Sequence, residues 1–288
     1  KYGPLSAEET ASFIGGFDAV LASSDKYPAS VLESPAAARL KVISRWGVGY
    51  DSIDIAAATR LGIVVAYTPG MLDEAVADYT WALLFAVARR VHEGHGSMRR
   101  GEWQVAWGND ISGRTLGIIG CGRIGQAVAQ RASGFNMRLL GYDVAPNPAA
   151  EKLGVKFVAL DQLLAESDFV SLHAALTPQT RDLFDARTLS AMPRGSFLIN
   201  IARGAHVVEE DLLAALDSGQ IAGATLDVVR TEPLPATHLF WDHPAVRITP
   251  HIAGLTNPET ACDEIAENLR RLQAGEPLLN VVYPGRGY

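Results

Sequence analysis

The sequence TLGIIGCGRIG, at residues 115–125, has the pattern of a buried strand that ends in a glycine-rich turn. Residues 116–119 form a short apolar run, and the residues after Gly125 continue at helical spacing. In such a turn Gly120 permits a tight bend, Gly122 lets the backbone approach a pyrophosphate, and Gly125 lets helix and strand pack closely. The first N–H groups of the helix and its dipole then face the phosphates. This stretch therefore predicts a dinucleotide-binding unit.

The next predicted strand ends in an acidic residue that bears on the choice of dinucleotide. A second apolar run, at residues 138–142, leads to Asp143, which lies 18 residues after Gly125. An acid about 20 residues past the last glycine can accept hydrogen bonds from the hydroxyls of an adenosine ribose. Its charge would repel a 2′-phosphate, and residues 144–147 offer no Arg or Lys to bind one. We therefore predict NAD rather than NADP as the cofactor.

Length and composition are those of an ordinary globular protein. The 288 residues can form one large or two medium domains, and 48% of them are hydrophobic. A net charge of −7 gives no reason to expect nucleic acid or an anionic membrane as a partner. Two cysteines do not make a disulfide framework, so a reducing compartment is favoured. Because no long apolar run or signal peptide is visible, we expect a cytoplasmic protein, and we expect no metal site.

The rest of the chain alternates short apolar runs with helical patterns. Repeated β–α units with short turns predict an α/β fold with a doubly wound parallel sheet, preceded by a smaller parallel-sheet domain. Residues 74–94 form the longest helical pattern, and its apolar stripe favours a helix that bridges the two domains. Residues 95–113 are predicted to be an extended or irregular arm. Its tryptophans, Trp103 and Trp107, are either ordinary core or part of an interface with a second subunit.

Polar residues follow several of the predicted strands, namely His173, Arg203, Asp227, Glu232 and His251. In an open α/β sheet, ligands bind outside the carboxyl ends of the strands. An Arg at this edge can bind a carboxylate and an adjacent carbonyl in a bidentate manner. A His can give and take a proton near neutral pH, and a nearby Glu can orient the imidazole and favour its protonated form.

Each of these residues also has an ordinary interpretation. A single Arg at a strand end is usually part of a surface ion pair, a single His is usually structural, and Glu-Pro is usually a turn. Three complementary groups at equivalent positions of the sheet, beside a nicotinamide site, favour a catalytic trio of Arg203, Glu232 and His251. We expect His173 to lie close to the cofactor without a catalytic role, and the other histidines to be structural or solvated.

Five segments of the sequence together resemble the D-isomer-specific 2-hydroxyacid dehydrogenase family, and the resemblance covers nearly the whole chain. They are VISRWGVGYDSID at residues 42–54, TLGIIGCGRIG at 115–125, FLINIARG at 197–204, GATLDVVRTEP at 223–233 and ITPHIAG at 248–254. The resemblance implies two Rossmann-like, doubly wound parallel-sheet domains, with the cofactor domain inserted into a discontinuous substrate domain. The expected bounds are 1–88 and 257–288 for the substrate domain and 89–256 for the NAD-binding domain. It also implies a homodimer.

The resemblance assigns roles to individual residues. Arg203, Glu232 and His251 would be catalytic, and the backbone of Val48 and Gly49 would bind the substrate carboxylate alongside Arg203 and His251. Asp227 would hold the carboxamide or the ring nitrogen of the nicotinamide. The full set of expected cofactor contacts is Thr68, Gly120, Gly122, Arg123, Ile124, Gly125, Asp143, Ala174, Ile201, Asp227 and Gly254.

The implied reaction is reversible hydride transfer between NAD(H) and a small D-2-hydroxy acid or 2-oxo acid. The stretch at residues 232–244 is similar to that of glyoxylate and hydroxypyruvate reductases. The first alternative is oxidation of 3-phosphoglycerate. Phosphoglycerate-type members often carry an Arg where this chain has Ala22, although Lys26 and Arg45 remain nearby. The non-enzymatic alternative is an NAD-sensing binding protein like those that act as transcriptional corepressors.

Overall fold

A computed structural model describes residues 4–254 and 258–284 of the chain. Its contacts divide the chain into two compact units, one formed by Lys1–Leu72 with Leu255–Tyr288 and the other by Asp73–Gly254. The second unit is thus inserted into the first. The bounds expected from the sequence place residues 73–88 with the substrate domain, whereas the contacts group these residues with the second unit.

The first unit is a small α/β structure around a parallel sheet. Its elements are α1 (Ala7–Phe13), β1 (Ala19–Ala22), α2 (Ala29–Leu32), β2 (Val42–Arg45), α3 (Ile55–Arg60), β3 (Val64–Tyr67) and α11 (Pro258–Ala274). The described strands pair in the order β1-β2-β3, all parallel. At the start of α1, Ser6 and Glu9 form the capping box that their spacing predicts.

The second unit contains a seven-stranded sheet in which every neighbouring pair is parallel. Its strands are β4 (Thr115–Ile119), β5 (Arg138–Tyr142), β6 (Val155–Phe157), β7 (Phe169–Leu172), β8 (Ser196–Asn200), β9 (Ile221–Leu226) and β10 (Val246–Ile248). Their order is β10-β9-β8-β7-β4-β5-β6. The chain therefore adds β5 and β6 on one side of β4 and the later strands on the other side. This reversal confirms the predicted doubly wound sheet, and it opens a crevice between the ends of β4 and β7.

Helices cover the sheet of the second unit and bury its central strands. They are α4 (Asp73–Ala88), α5 (Val91–Arg99), α6 (Arg123–Ala132), α7 (Pro148–Lys152), α8 (Leu160–Glu166), α9 (Ala186–Ala191) and α10 (Glu209–Asp217). Every residue of β4, β7 and β8 is buried, as expected for strands covered on both faces. Within the described ranges, no helix combines the length and the apolar character needed to span a membrane.

The prediction of one long helix over residues 74–94 is wrong, because the structure has two helices there, α4 and α5. Arg90 takes a left-handed backbone conformation, with φ of 52°, between α4 and α5. The backbone N–H of Asn109 donates to the carbonyl of Ala88 at 2.7 Å and so occupies an acceptor at the end of α4. The apolar stripe ends there too, since Val91 is exposed.

The predicted arm is accordingly shorter than expected, because α5 occupies its first residues. The rest of the arm, from residue 102 to residue 111, has no regular secondary structure. Trp103 and Trp107 are 84% and 88% exposed, so they do not belong to the core of this chain. The interpretation of these tryptophans as ordinary core is therefore wrong, and an interface with a second subunit stays a prediction.

Helix α4 belongs to the second unit because its side chains pack on α6 and the turn after it. The indole Nε1 of Trp81 donates to the carbonyl of Val128 at 3.1 Å. The ring of Trp81 lies 4.7 Å from that of Phe135, and Phe85 contacts the same two rings. These contacts anchor α4 against α6 and the turn that follows it.

The glycines of this turn differ in the space around them. A Cβ atom on Gly125 would lie 2.1 Å from the carbonyl oxygen of Gly120, and a Cβ on Gly120 would lie 2.5 Å from the backbone nitrogen of Ala174. A Cβ on Gly122 would meet no described heavy atom within 4 Å. Gly120 and Gly125 therefore serve packing, whereas Gly122 borders open space.

We predict that Gly125→Ala destabilises the protein by at least about 3 kcal/mol, because the added methyl group collides with backbone that cannot move aside. Gly122→Ala is the matched control, and it should cost less than about 1 kcal/mol, as expected for replacement of Gly at a helix N-cap. Urea unfolding of both variants measures the two changes. Equal unfolding midpoints for the two variants would contradict this account of the turn.

Candidate active site

The glycine-rich turn presents an uncapped helix start to open space. Helix α6 begins at Arg123, and no described side chain caps it at Gly122. Its first N–H groups and the positive end of its dipole are therefore available to an anion. Because a Cβ on Gly122 would point into open space, a pyrophosphate has room to approach the backbone here. The predicted contacts Arg123 and Ile124 lie in this first helical turn.

Asp143 lies at the end of β5, directly beside the glycine-rich turn. Its Oδ2 accepts a hydrogen bond from the backbone N–H of Cys121, and its Oδ1 accepts one from Val144, both at 2.7 Å. These bonds fix the carboxylate, and each oxygen retains acceptor capacity for a ribose hydroxyl. Burial raises the pKa of Cys121 to about 12, and the charge of Asp143 adds to this effect. Cys121 is therefore a buried, space-filling residue.

His173 and Ala174 follow β7 and form the opposite side of the crevice. The imidazole Nε2 of His173 lies 2.8 Å from the hydroxyl of Ser171, while Nδ1 has no hydrogen-bond partner among the residues that the structure describes. Burial lowers the pKa of His173 to about 3, so the ring is neutral at physiological pH. A neutral ring at this position fits the expectation of a residue near the cofactor that does not exchange protons.

The glycine-rich turn, Asp143 and the uncapped helix start thus fit a dinucleotide. Two further expected contacts lie at the same edge of the sheet. Ile201 follows β8 and is 8% exposed. Gly254 lies in the loop after β10, next to Ala253, whose backbone N–H donates to Asp227.

His251 and Glu232 form a hydrogen-bonded pair. Nδ1 of His251 lies 2.8 Å from Oε2 of Glu232, whose Oε1 accepts a hydrogen bond from the backbone of Val229 at 3.2 Å. Burial alone would raise the pKa of Glu232, but its hydrogen bond with His251 and the charges of His251 and Arg203 lower it. Glu232 is therefore ionised and can accept a hydrogen bond from the imidazole. Because Nδ1 is engaged, Nε2 is the ring atom that can exchange a proton with a ligand.

Asp227 anchors the loop that carries His251. Its Oδ1 accepts hydrogen bonds from the Thr249 hydroxyl at 2.6 Å and from the backbone N–H of Ile252 at 3.0 Å, and its Oδ2 accepts one from Ala253 at 2.8 Å. The backbone carbonyl of Asp227 also accepts from the N–H of His251. Asp227 is 1% exposed, and burial raises its pKa. The carboxylate of Asp227 thus holds this loop in place. The sequence did not indicate that Thr249 takes part by donating a hydrogen bond to it.

Arg203 follows β8 on a short turn. Its Nη1 donates to the carbonyl of Ala202 at 2.7 Å, and the side-chain amide of Asn200 donates to the carbonyl of Arg203 at 2.9 Å. The charge of Arg203 contributes to the lowered pKa of Glu232, so the two side chains interact electrostatically. The second unit therefore brings Arg203, Glu232 and His251 into one charged group.

Three expected contacts, Val48, Gly49 and Thr68, lie in the first unit. Val48 and Gly49 are in the loop after β2, which Arg45 supports by donating hydrogen bonds to the carbonyls of Gly49, at 2.8 Å, and Trp46. The hydroxyl of Thr68 accepts a hydrogen bond from the N–H of Gly47 at 2.8 Å. Arg45 is only 6% exposed, and the two hydrogen bonds that it donates to this loop are therefore shielded from solvent.

Comparison with known proteins identifies the relatives of this chain. Residues 81–253 match the family model of the NAD binding domain of D-isomer specific 2-hydroxyacid dehydrogenases. A glyoxylate reductase of Korarchaeum cryptofilum is 45% identical over 267 residues, which cover 90% of this chain and 80% of that protein. A glyoxylate reductase of Thermococcus litoralis is 43% identical over 270 residues, which cover 90% of this chain and 81% of the relative.

Comparison with solved structures finds relatives of the same kind. The crystal structure of a glyoxylate reductase from Paecilomyes thermophila superposes with a TM-score of 0.87 at 33% sequence identity, and the match covers 98% of this chain and 90% of that one. The segment that matches the NAD-binding model falls within the second unit, which holds the glycine-rich turn and Asp143. The chain therefore belongs to the D-isomer specific 2-hydroxyacid dehydrogenase family and is an NAD(P)-dependent oxidoreductase.

Proposed function

We propose that this enzyme reduces a small unphosphorylated 2-oxo acid, glyoxylate or hydroxypyruvate, with NADH and catalyses the reverse oxidation of the D-2-hydroxy acid. The observation that carries the proposal is the pair of His251 and ionised Glu232, with Arg203 interacting electrostatically, in the unit that contains the dinucleotide turn. The relatives named above are glyoxylate reductases, which supports the choice of substrate.

In the proposed reaction, a nicotinamide bound through the glycine-rich turn and Asp143 would supply or accept the hydride that is exchanged with C2 of the acid. The guanidinium of Arg203 binds the carboxylate and polarises the adjacent carbonyl. Nε2 of His251 donates its proton to the carbonyl oxygen as negative charge develops there, so that the product carries a hydroxyl group. Glu232 keeps His251 protonated beforehand. In the oxidation, neutral His251 removes the hydroxyl proton.

We propose NAD as the preferred cofactor because of the position of Asp143. Its carboxylate is fixed by two backbone N–H groups at the end of β5, where the adenosine ribose would lie. A 2′-phosphate at that position would face this negative charge, which costs free energy and disfavours NADP. The following residues, 144–147, contain no basic side chain that could offset the repulsion.

Phosphorylated substrates are disfavoured by two features of the first unit. Ala22, at the position where phosphoglycerate-type relatives often carry an Arg, is buried. Arg45, the nearby arginine considered as a replacement, is buried and donates to the carbonyls of its own loop. A phosphate group would therefore lack the bidentate partner that usually binds it.

We expect turnover of glyoxylate and hydroxypyruvate with NADH, and at least about a tenfold lower kcat/KM with NADPH, which corresponds to about 1.4 kcal/mol. The phosphorylated analogue of hydroxypyruvate should be turned over at least about tenfold less efficiently than hydroxypyruvate itself. Absorbance at the nicotinamide band follows all of these reactions. A preference for the phosphorylated acid would replace this proposal with phosphoglycerate oxidation, and negligible turnover of every acid would support an NAD-sensing binding protein.

We predict that Glu232→Gln moves the pH profile of 2-oxo acid reduction toward acid by about 1 pH unit. Reduction needs a protonated His251, so activity falls as pH rises and the proton is lost. Without the negative charge of Glu232, that proton is lost at lower pH. Asp217→Asn is the matched control, because Asp217 pairs with His243 on the surface at 3.3 Å and should leave the profile unchanged. An unmoved profile in Glu232→Gln excludes this role for Glu232.

We also infer that the enzyme is a homodimer in which residues 102–111 of each subunit contact the other. Trp103, Val105 and Trp107 are all largely exposed on this arm, and large exposed aromatic side chains are typical of protein interfaces. The homodimers implied by the family resemblance support the choice of a second copy as the partner.

From the two unpaired cysteines, Cys121 and Cys262, we infer a reducing, cytoplasmic location.

We expect the protein to sediment at twice its monomer mass of 30.8 kDa. The double variant Trp103→Glu, Trp107→Glu should sediment as a monomer, because two charges would be buried without partners in the interface. Leu61→Glu, at an exposed position of the first unit, is the control and should stay dimeric. If the double variant stays dimeric, the arm is not the interface.

A further inference from the structure

The carbonyl oxygen of Arg203 accepts hydrogen bonds from two buried side chains. The amide of Asn200 donates to it at 2.9 Å, and Nδ1 of His206 lies 3.0 Å from it. The backbone N–H of His206 also donates to it, at 3.3 Å. Both side chains have no exposed surface. Asn200 ends β8 and His206 ends the 3-10 turn Gly204–His206, so they hold the Arg203 peptide from both sides.

The second ring nitrogen of His206 contacts the loop that follows β7. Nε2 lies 3.3 Å from the carbonyl oxygen of Ala175, which also accepts a hydrogen bond from the Thr180 hydroxyl at 2.7 Å. Ala175 follows Ala174, whose backbone packs on Gly120. The imidazole thus bridges the turn that carries Arg203 and the wall of the dinucleotide crevice.

Both ring nitrogens of His206 face carbonyl oxygens, those of Arg203 and Ala175, so the side chain does more than fill space in the core. Carbonyl oxygens only accept hydrogen bonds, so each contact requires a ring N–H. The tautomer protonated at Nδ1 makes the shorter contact, to Arg203, and the imidazolium makes both. A buried polar ring is costly unless it is hydrogen-bonded, and these bonds fix it in one orientation.

We propose that His206 is a positioning residue, which sets the direction of the Arg203 side chain by fixing the carbonyl of Arg203. A fixed carbonyl fixes the backbone torsion at Arg203 and hence the direction of its Cα–Cβ bond. Small errors at the base of a long side chain become large displacements of its guanidinium, which weakens a bidentate contact with a carboxylate. The inference rests on the proposed function, in which Arg203 binds the carboxylate of the 2-oxo acid.

Three substitutions of His206 separate the possible contributions of its ring. His206→Asn places an amide donor close to the position of Nδ1 and keeps the contact with Arg203. His206→Gln places its donor close to the position of Nε2 and keeps the contact with Ala175 instead. His206→Leu fills a similar volume with no donor, so it reports on packing alone. Thermal unfolding of each NADH-loaded variant shows which of them fold as the unsubstituted protein does.

Steady-state kinetics with glyoxylate and titration calorimetry with oxamate, an inert carboxylate analogue, measure the effect on the acid. We expect His206→Leu and His206→Gln to raise the KM for glyoxylate and the Kd for oxamate about 5- to 10-fold, as for the loss of one hydrogen bond. His206→Asn should stay within about twofold of the unsubstituted protein. The KM for NADH should change by less than about twofold in all three, because Arg203 does not bind the cofactor in this proposal.

The outcomes separate this inference from the proposed function. If the unsubstituted enzyme turns over glyoxylate and His206→Leu matches it in KM and oxamate affinity, His206 is only structural and the inference is overturned. Equal losses in His206→Asn and His206→Leu would also overturn it, because the contact with Arg203 would then not be the one that matters. If the unsubstituted protein neither turns over any 2-oxo acid nor binds oxamate, the proposed function fails, and this inference fails with it.

Discussion

Backbone segments meet at the switch point of the large sheet so closely that no side-chain atom fits between them. Gly125 packs on the carbonyl of Gly120, and Gly120 packs on the backbone of Ala174. This contact brings the ends of β4 and β7 together and sets the start of α6 against the sheet. The crevice for the dinucleotide depends on this contact. His173 directly follows β7 and donates its backbone N–H to Ile119 at the end of β4, and Asp143, after β5, accepts a hydrogen bond from Cys121 in the turn.

The proposed acid–base chemistry depends on two carboxylates that lie in different surroundings. Asp227 is buried against the loop of His251 and accepts three hydrogen bonds from it, and burial raises its pKa. Glu232 faces the ring of His251 and the charge of Arg203, which lower its pKa in spite of burial. One carboxylate therefore holds the loop in place, while the other accepts a hydrogen bond from the imidazole and orients the ring.

Much of the fold could be predicted from the sequence because its signals are local. The apolar runs at residues 116–119 and 138–142 predict strands, and the structure has β4 at Thr115–Ile119 and β5 at Arg138–Tyr142. Ser6 and Glu9 specify the start of α1 through contacts only three residues apart. The break at Arg90 could not be predicted, because the N–H that occupies the Ala88 carbonyl comes from Asn109, after an intervening helix.

The sequence by itself determined the type of fold and the dinucleotide turn, and it singled out the strand-end residues that we propose to carry the chemistry. Glycine spacing, apolar runs and strand-end residues are short-range features, and they act wherever the chain is placed. Tertiary structure alone decided how these residues are held. The bonds from Asp227 to the His251 loop, and from His206 to Ala175 across 31 residues, join segments whose separation in sequence carries no information about their distance in space. A buried polar group finds its partners only once the strands that carry them are paired.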